Sequence, residues 1–206
     1  MIAIVDYGLG NLKSVKSALD RLGVEAAITS QPGAILAADG VIFPGVGAFP
    51  RAMHNLRELG ILEAVRGAAT SGKPFLGICL GLQLLFTESS EHGRHTGLGI
   101  IPGKVIRFET GALKVPHMGW NQVRQARSSE LFAGIPDGSF FYFAHSYYAA
   151  PDEPAVVIGS TDYGVRFASA VQRGSVFATQ FHPEKSGPTG LRMLESFCRL
   201  CGRQQA

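Results

Sequence analysis

Three cysteines in 206 residues, Cys79, Cys198 and Cys201, are too few and too uneven for a secreted disulfide framework. Charge is also scarce. Only 17% of residues are Asp, Glu, Lys or Arg, and the net charge is +3. No run of Lys and Arg interleaves with aromatics, so the chain carries no nucleic-acid signature. No apolar stretch approaches the roughly 20 residues of a membrane span. The N-terminus, Met1-Ile2-Ala3-Ile4-Val5-Asp6, lacks a basic start, and its apolar run stops at Asp6. It therefore reads as structure rather than as a signal peptide. The expectation is a cytoplasmic protein. There is no phosphate-binding glycine loop, no internal repeat and no paired His or Cys spacing of the kind zinc requires. No metal and no cofactor are expected.

What is abundant is hydrophobic residues, 46%, and glycine, 26 of them. The first supplies one sizeable core, so residues 1–206 read as a single domain. The second marks tight turns. Short apolar runs at 2–5, 24–28, 41–43 and 75–78 read as buried strands. Leu12, Val15, Leu19 and Leu22 recur at helical spacing, with Asn11 placed to cap and Gly23 to stop the helix. Segments 53–59 and 62–69 read as helices, and a further helix is expected over 80–86. Strands alternating with helices imply an α/β fold with a parallel sheet covered on both faces. Beyond Gly97 come short strands separated by turn signals, at 105–108, 122–124, 140–144, 155–160, 168–172 and 176–180. They imply antiparallel additions, closed by a helix over 189–200.

The sharpest chemical signal is Phe75-Leu76-Gly77-Ile78-Cys79-Leu80-Gly81. A strand enters Gly-x-Cys-x-Gly and a helix begins at once, as in a nucleophile elbow with Cys in place of Ser. The turn exposes sulfur at a helix start, where thiolate is favoured over thiol. Read alone, Cys79 is equally a buried structural cysteine. The second signal is Gln180-Phe181-His182-Pro183-Glu184, after the apolar run 176–178. His182 there ends a strand and suits a base that later protonates an amine. Glu184 is placed to hold its imidazole in one tautomer. His92 and His95 sit in a polar loop and His54 on a helix face. His117 and His145 flank apolar runs as core or supporting groups. Cys198 and Cys201 belong to an apolar helix and to packing.

Gly77–Gly81 together with Phe181–Glu184 resembles the class I, triad-type glutamine amidotransferases, in the same order and separation. Asp6–Asn11, Phe43–Ala48, Lys114–Asn121 and Phe141–Tyr147 narrow the likeness to imidazole glycerol phosphate synthase glutaminases. The resemblance covers essentially the whole chain. It implies a flavodoxin-like α/β fold and glutamine hydrolysis through a γ-glutamyl thioester on Cys79, with His182 as base and acid and Glu184 as orienter. An oxyanion hole would draw one N–H from Leu80 and another from Val46 or Gly47. Gln83, Ser146 and Tyr147 would meet glutamine; the competing reading of Gln83 is an exposed helix residue. The implied partner is a (β/α)₈-barrel cyclase in a heterodimer, which uses the ammonia to make imidazole glycerol phosphate and aminoimidazole carboxamide ribotide in histidine biosynthesis. Asn11, Trp120, Tyr142 and Lys185 would face it. The competing readings are a glutaminase of another pathway, a stand-alone cysteine hydrolase and an inactive binding module. Among the first, the glutaminase of pyridoxal phosphate synthesis typically carries Gly-Gly-Glu-Ser where this chain has Pro44-Gly45-Val46-Gly47.

Overall fold

The structure, a computed structural model, describes residues 1–109, 111 and 113–202. In chain order its first half contains β1 (Ile2–Val5), α1 (Leu12–Arg21), β2 (Ala26–Thr29), α2 (Pro32–Ala37) and β3 (Gly40–Gly45). These are followed by α3 (Phe49–Glu58), α4 (Leu62–Thr70), β4 (Phe75–Cys79) and α5 (Leu80–Leu84). The second half contains β5 (Phe86–Ser89), β6 (His95–Thr96), β7 (Ile101–Arg107), β8 (His117–Gln125), β9 (Ser139–His145) and β10 (Tyr147–Pro151). It ends with β11 (Val157–Tyr163), β12 (Val165–Arg173), β13 (Val176–Thr179) and α6 (Gly187–Gly202).

Five parallel strands in the order β2-β1-β3-β4-β13 form the centre, the arrangement of a flavodoxin-like doubly wound sheet. Their side chains alternate between two cores. Ala3, Val5, Val41, Phe43, Phe75 and Val176 face one, together with buried residues of α2, α3 and α4. Ile2, Ile4, Ile42, Leu76, Ile78 and Phe177 face the other, with α1 and α6. Strands apolar on both faces are what a helix-covered parallel sheet requires. Antiparallel β12 pairs with β13, and β10, β7, β5 and β6 extend the sheet beyond it. A hairpin of β8 and β9 joins through β11. Among the described residues no helix is long and apolar enough to cross a membrane.

Several boundaries differ from the sequence expectation. The helix expected over 80–86 stops at Leu84, and Phe86 starts β5. Segment 80–86 is apolar almost all round, so its periodicity does not mark where helix gives way to strand. Strand 122–124 is the end of a nine-residue β8. Three further elements were not expected: α2, the two-residue β6 in the segment read as a polar loop, and β10, which pairs with β7 and β12.

Packing dictates glycine at two positions, one in β3 and one beside it. A Cβ on Gly81 would lie 1.8 Å from the Phe43 carbonyl oxygen, and one on Gly45 would lie 2.0 Å from Tyr7 Oη. Helix α5 can sit this close to β3 only because Gly81 has no side chain.

A buried imidazole pair fills the space between β8 and β9. Asn121 Nδ2 donates to His117 Nε2 at 3.2 Å, His117 Nδ1 lies 3.0 Å from His145 Nε2, and His145 Nδ1 lies 2.8 Å from the Tyr147 carbonyl oxygen. A carbonyl only accepts, so His145 holds its proton on Nδ1. Its Nε2 then accepts from His117 Nδ1, and both rings are satisfied as neutral species. Burial lowers the pKa of His117 to about 4. Burial, against the hydrogen bond to Tyr147 and aided by the neighbouring His117 and His182, lowers that of His145 to about 3.

Gly81→Ala is expected to destabilise the protein by about 1–3 kcal/mol, because the new methyl meets backbone. Gly33→Ala, in α2 with open space around it, is expected to be neutral or stabilising by up to about 1 kcal/mol. Urea unfolding checks both, and equal midpoints for the two variants would contradict the packing argument. The histidine pair makes stability pH-dependent. The unfolded chain binds its protons near pH 6.5 and the folded protein only near pH 4 and 3, so this stability is present above 6.5 and is lost as pH falls towards 4. Each histidine contributes a slope on the order of 1 kcal/mol per pH unit in that window. His145→Phe should flatten the urea midpoint against pH between 6.5 and 4.5. An undiminished slope would show that these rings are not charged on unfolding.

Candidate active site

The carboxyl ends of β3, β4 and β13 lie level, with Gly45 opposite Cys79 and Ile78 opposite Thr179. Cys79 is the last residue of β4 and the residue before α5, with φ 55° and ψ −106°. A side chain in that backbone region is strained, and the surrounding packing must hold it there. Its turn is tightened by Gly77, whose Cβ would meet the Gly81 carbonyl group at 3.0 Å. Cys79 is 6% exposed and borders a cleft. Helix α5 has only five residues, so it offers free first-turn N–H groups rather than a long dipole.

His182 follows β13 on a loop held at several points. Its N–H donates to the Tyr142 carbonyl at 2.9 Å, and Ser186 Oγ donates to the His182 carbonyl at 2.6 Å. The same Ser186 oxygen accepts from Tyr142 N–H at 3.0 Å. Phe181 is fully buried, with its ring 4.1 Å from that of Phe141. Pro183 begins a 3₁₀ turn through Lys185 that carries Glu184 back under the imidazole. His182 Nδ1 lies 2.8 Å from Glu184 Oε1, and both side chains are buried, at 3% and 1% exposure. Burial alone would lower the His182 pKa. The charge of the adjacent Cys79 sulfur, a hydrogen bond to it and the Glu184 carboxylate outweigh burial and raise it to about 10. The structure thus brings sulfur, imidazole and carboxylate together from positions far apart in the chain.

The cleft beside the sulfur has a volume of about 340 Å³, enough for one amino acid. Val46, Gly47, Leu80, Gln83, Ser146 and Tyr147 all line it, as does Lys185. Gly47 has φ 99°, a left-handed conformation open to glycine. Gln83 is 5% exposed, which removes the competing reading of it as an exposed helix residue. The helix carrying it is buried on every side, so no polar face existed for it. Trp120 is 56% exposed and meets Tyr142 edge-on at 6.2 Å. Lys185 Nζ stands 5.8 Å over the same Tyr142 ring. Asn11 lies apart from this cluster, at the start of α1, where its Oδ1 accepts from Ser14 Oγ.

Three further groups border the site: Glu91 and Gln180 were given no role from the sequence, and His145 only that of a core or supporting group. Glu91 lines the cleft and accepts from Phe49 N–H at 2.7 Å, capping α3. His145 lines the cleft as well, as the inner member of the imidazole pair. Gln180 is fully buried, with Nε2 3.6 Å from the Cys79 sulfur. Its signal was its place in the run Gln180–Glu184, two residues before the histidine; nothing in the sequence marked Glu91.

The chain matches the family model described as glutamine amidotransferase class-I over residues 3–201. It is 57% identical over 199 residues to the imidazole glycerol phosphate synthase subunit HisH of Moorella thermoacetica, covering 97% of this chain and 94% of that protein. It is 52% identical over 197 residues to the subunit of the same name from Desulfitobacterium hafniense, covering 96% and 93%. Among solved structures, a crystal structure of a glutamine amidotransferase superposes with a TM-score of 0.76 at 23% identity, covering 98% of this chain and 100% of that one. A chain of the PurLQS structure from Thermotoga maritima superposes with a TM-score of 0.73 at 18% identity, covering 96% and 97%. These last two bear on the fold, which they share. Relatives more than half identical along nearly their whole length, and a family model spanning almost all of the sequence, establish that the chain belongs to the class-I glutamine amidotransferases, among the HisH subunits of imidazole glycerol phosphate synthase.

Proposed function

We propose that residues 1–206 act as one glutaminase domain, in the cytoplasm, which releases ammonia from glutamine at Cys79 and passes it to a (β/α)₈-barrel cyclase. The support for this assignment is the convergence of Cys79, His182 and Glu184 at the edge of one cleft. In this reading the Cys79 sulfur, as thiolate, attacks the side-chain carboxamide carbon of glutamine. Negative charge then moves onto the carboxamide oxygen, where preorganised N–H donors are worth roughly 3 kcal/mol each. Leu80, with Val46 or Gly47, is assigned to that task. The protonated His182 gives its proton to the departing nitrogen, ammonia leaves and a γ-glutamyl thioester remains. His182 next takes a proton from water, which attacks the thioester and frees glutamate and the sulfur. Glu184 holds the imidazole through both steps. Gln83, Ser146 and Tyr147 meet the substrate, and neither metal nor cofactor takes part.

Ammonia set free in neutral water would become ammonium and lose its nucleophilic lone pair, so it needs a water-excluded path. The outer face of the β8–β9 hairpin is where we place the partner. Met118, Trp120 and Phe140 are 64%, 56% and 53% exposed there, beside Tyr142 and Lys185. Asn11 is assigned to the same interface. The cyclase would consume the ammonia in forming imidazole glycerol phosphate and aminoimidazole carboxamide ribotide, in histidine biosynthesis.

Cys79→Ala should abolish glutamate release and leave cyclase binding intact. A coupled glutamate assay and titration calorimetry read these two outcomes, and retained hydrolysis would reassign the nucleophile. Trp120→Ala should weaken cyclase binding by at least about 2 kcal/mol, the scale of a central aromatic anchor. An unchanged dissociation constant would place the interface elsewhere.

A further inference from the structure

One main-chain carbonyl sets the direction of every hydrogen bond between the imidazole pair and the nucleophile. Tyr147 O receives His145 Nδ1–H at 2.8 Å from one side and Gln83 Nε2 at 3.0 Å from the other. Because a carbonyl only accepts, the Gln83 atom facing it is the amide nitrogen. That nitrogen has a second hydrogen, which it donates to Gln180 Oε1 at 3.1 Å. With its oxygen so engaged, Gln180 must present its own nitrogen to the Cys79 sulfur, at 3.6 Å. Gln180 is fully buried and anchored through its backbone, since its N–H donates to Ser169 O at 2.9 Å. It cannot turn away or be replaced by water. Besides the His182 imidazole, the sulfur has the Ala144 carbonyl oxygen at 4.0 Å, an acceptor that suits the thiol and not the thiolate.

We propose that Gln180 is a further catalytic residue, the fixed amide donor that holds the Cys79 sulfur as thiolate, with its direction imposed through Gln83 by the Tyr147 carbonyl. His182 must surrender a proton to the leaving nitrogen, so its hydrogen bond to sulfur is lost during each turnover. Gln180 has no proton to give and keeps its bond throughout, in the attacking thiolate and again when thioester hydrolysis regenerates it. A hydrogen bond to a charged acceptor is about twice as strong as one between neutral groups, so this donor favours thiolate over thiol. His145 acts as a positioning residue: its Nδ1–H fixes the carbonyl from which the direction is read.

The proposal rests on Cys79 being the nucleophile, and the test separates the two claims. The full chain in complex with its cyclase is alkylated with iodoacetamide across pH 5–9, and the Cys79 peptide is followed by mass spectrometry alongside glutaminase activity. Gln180→Met keeps the volume and removes the donor. Its alkylation midpoint should rise by about one pH unit, and its glutaminase kcat should fall by about tenfold or more with a smaller change in KM. Gln180→Glu, which places an acceptor against the sulfur, should raise the midpoint at least as far, and it serves if the Met variant does not fold. A parent-like midpoint in either folded variant overturns the role of Gln180. Parent protein that stays active with Cys79 fully alkylated overturns the underlying reading instead.

Discussion

The chemistry of this protein depends on one backbone constraint, the reversal of direction at Cys79. A strand that ended one residue earlier, or a helix that began one turn later, would leave the sulfur inside the sheet. The left-handed conformation of Cys79 projects it outward, and that conformation persists because its surroundings allow no other. Gly81 lets α5 settle against the Phe43 carbonyl, and Gly45 leaves room for Tyr7. The buried Tyr7 hydroxyl, without a hydrogen-bond partner among the described residues, is part of what this tight packing costs.

The first half of the chain presents the sulfur, and the second half makes it useful. β13 inserts beside β4 in parallel, so that His182 leaves the sheet at the same edge as Cys79. From there polar groups from many elements converge: Glu184 behind His182, Gln180 beneath the sulfur, and Gln83 and the Tyr147 carbonyl across the cleft. Beyond Tyr147 the neutral imidazole pair continues to Asn121, next to the exposed Trp120. The nucleophile and the face assigned to the cyclase are thus joined through fixed hydrogen bonds and rigid strands.

Much of this was legible in the sequence because it is local. The elbow is a strand, two glycines and a cysteine within seven residues, and His182 and Glu184 lie two apart on a stiff turn. The parallel strands announce themselves as runs apolar on both faces. What could not be read depends on pairing at a distance. β10 has no clean alternation and is a strand because β7 and β12 flank it. The glycine-containing start of β8 is held extended by β9. The competing reading of Gln83 as a surface residue stayed open because helical spacing says nothing about the sheet and loops that enclose α5. Gln180 and Glu91 are glutamine and glutamate in ordinary settings until the fold places one against a sulfur and the other against a helix end.

The central claim is that Cys79 carries the glutamyl group between the two chemical steps. It is tested most directly by mixing the complex with isotope-labelled glutamine, quenching in acid within a turnover and mapping the label by mass spectrometry. The account predicts a γ-glutamyl thioester on the peptide containing Cys79. Label on a peptide with Cys198 or Cys201, or glutamate formed with no labelled peptide at any time, would contradict it.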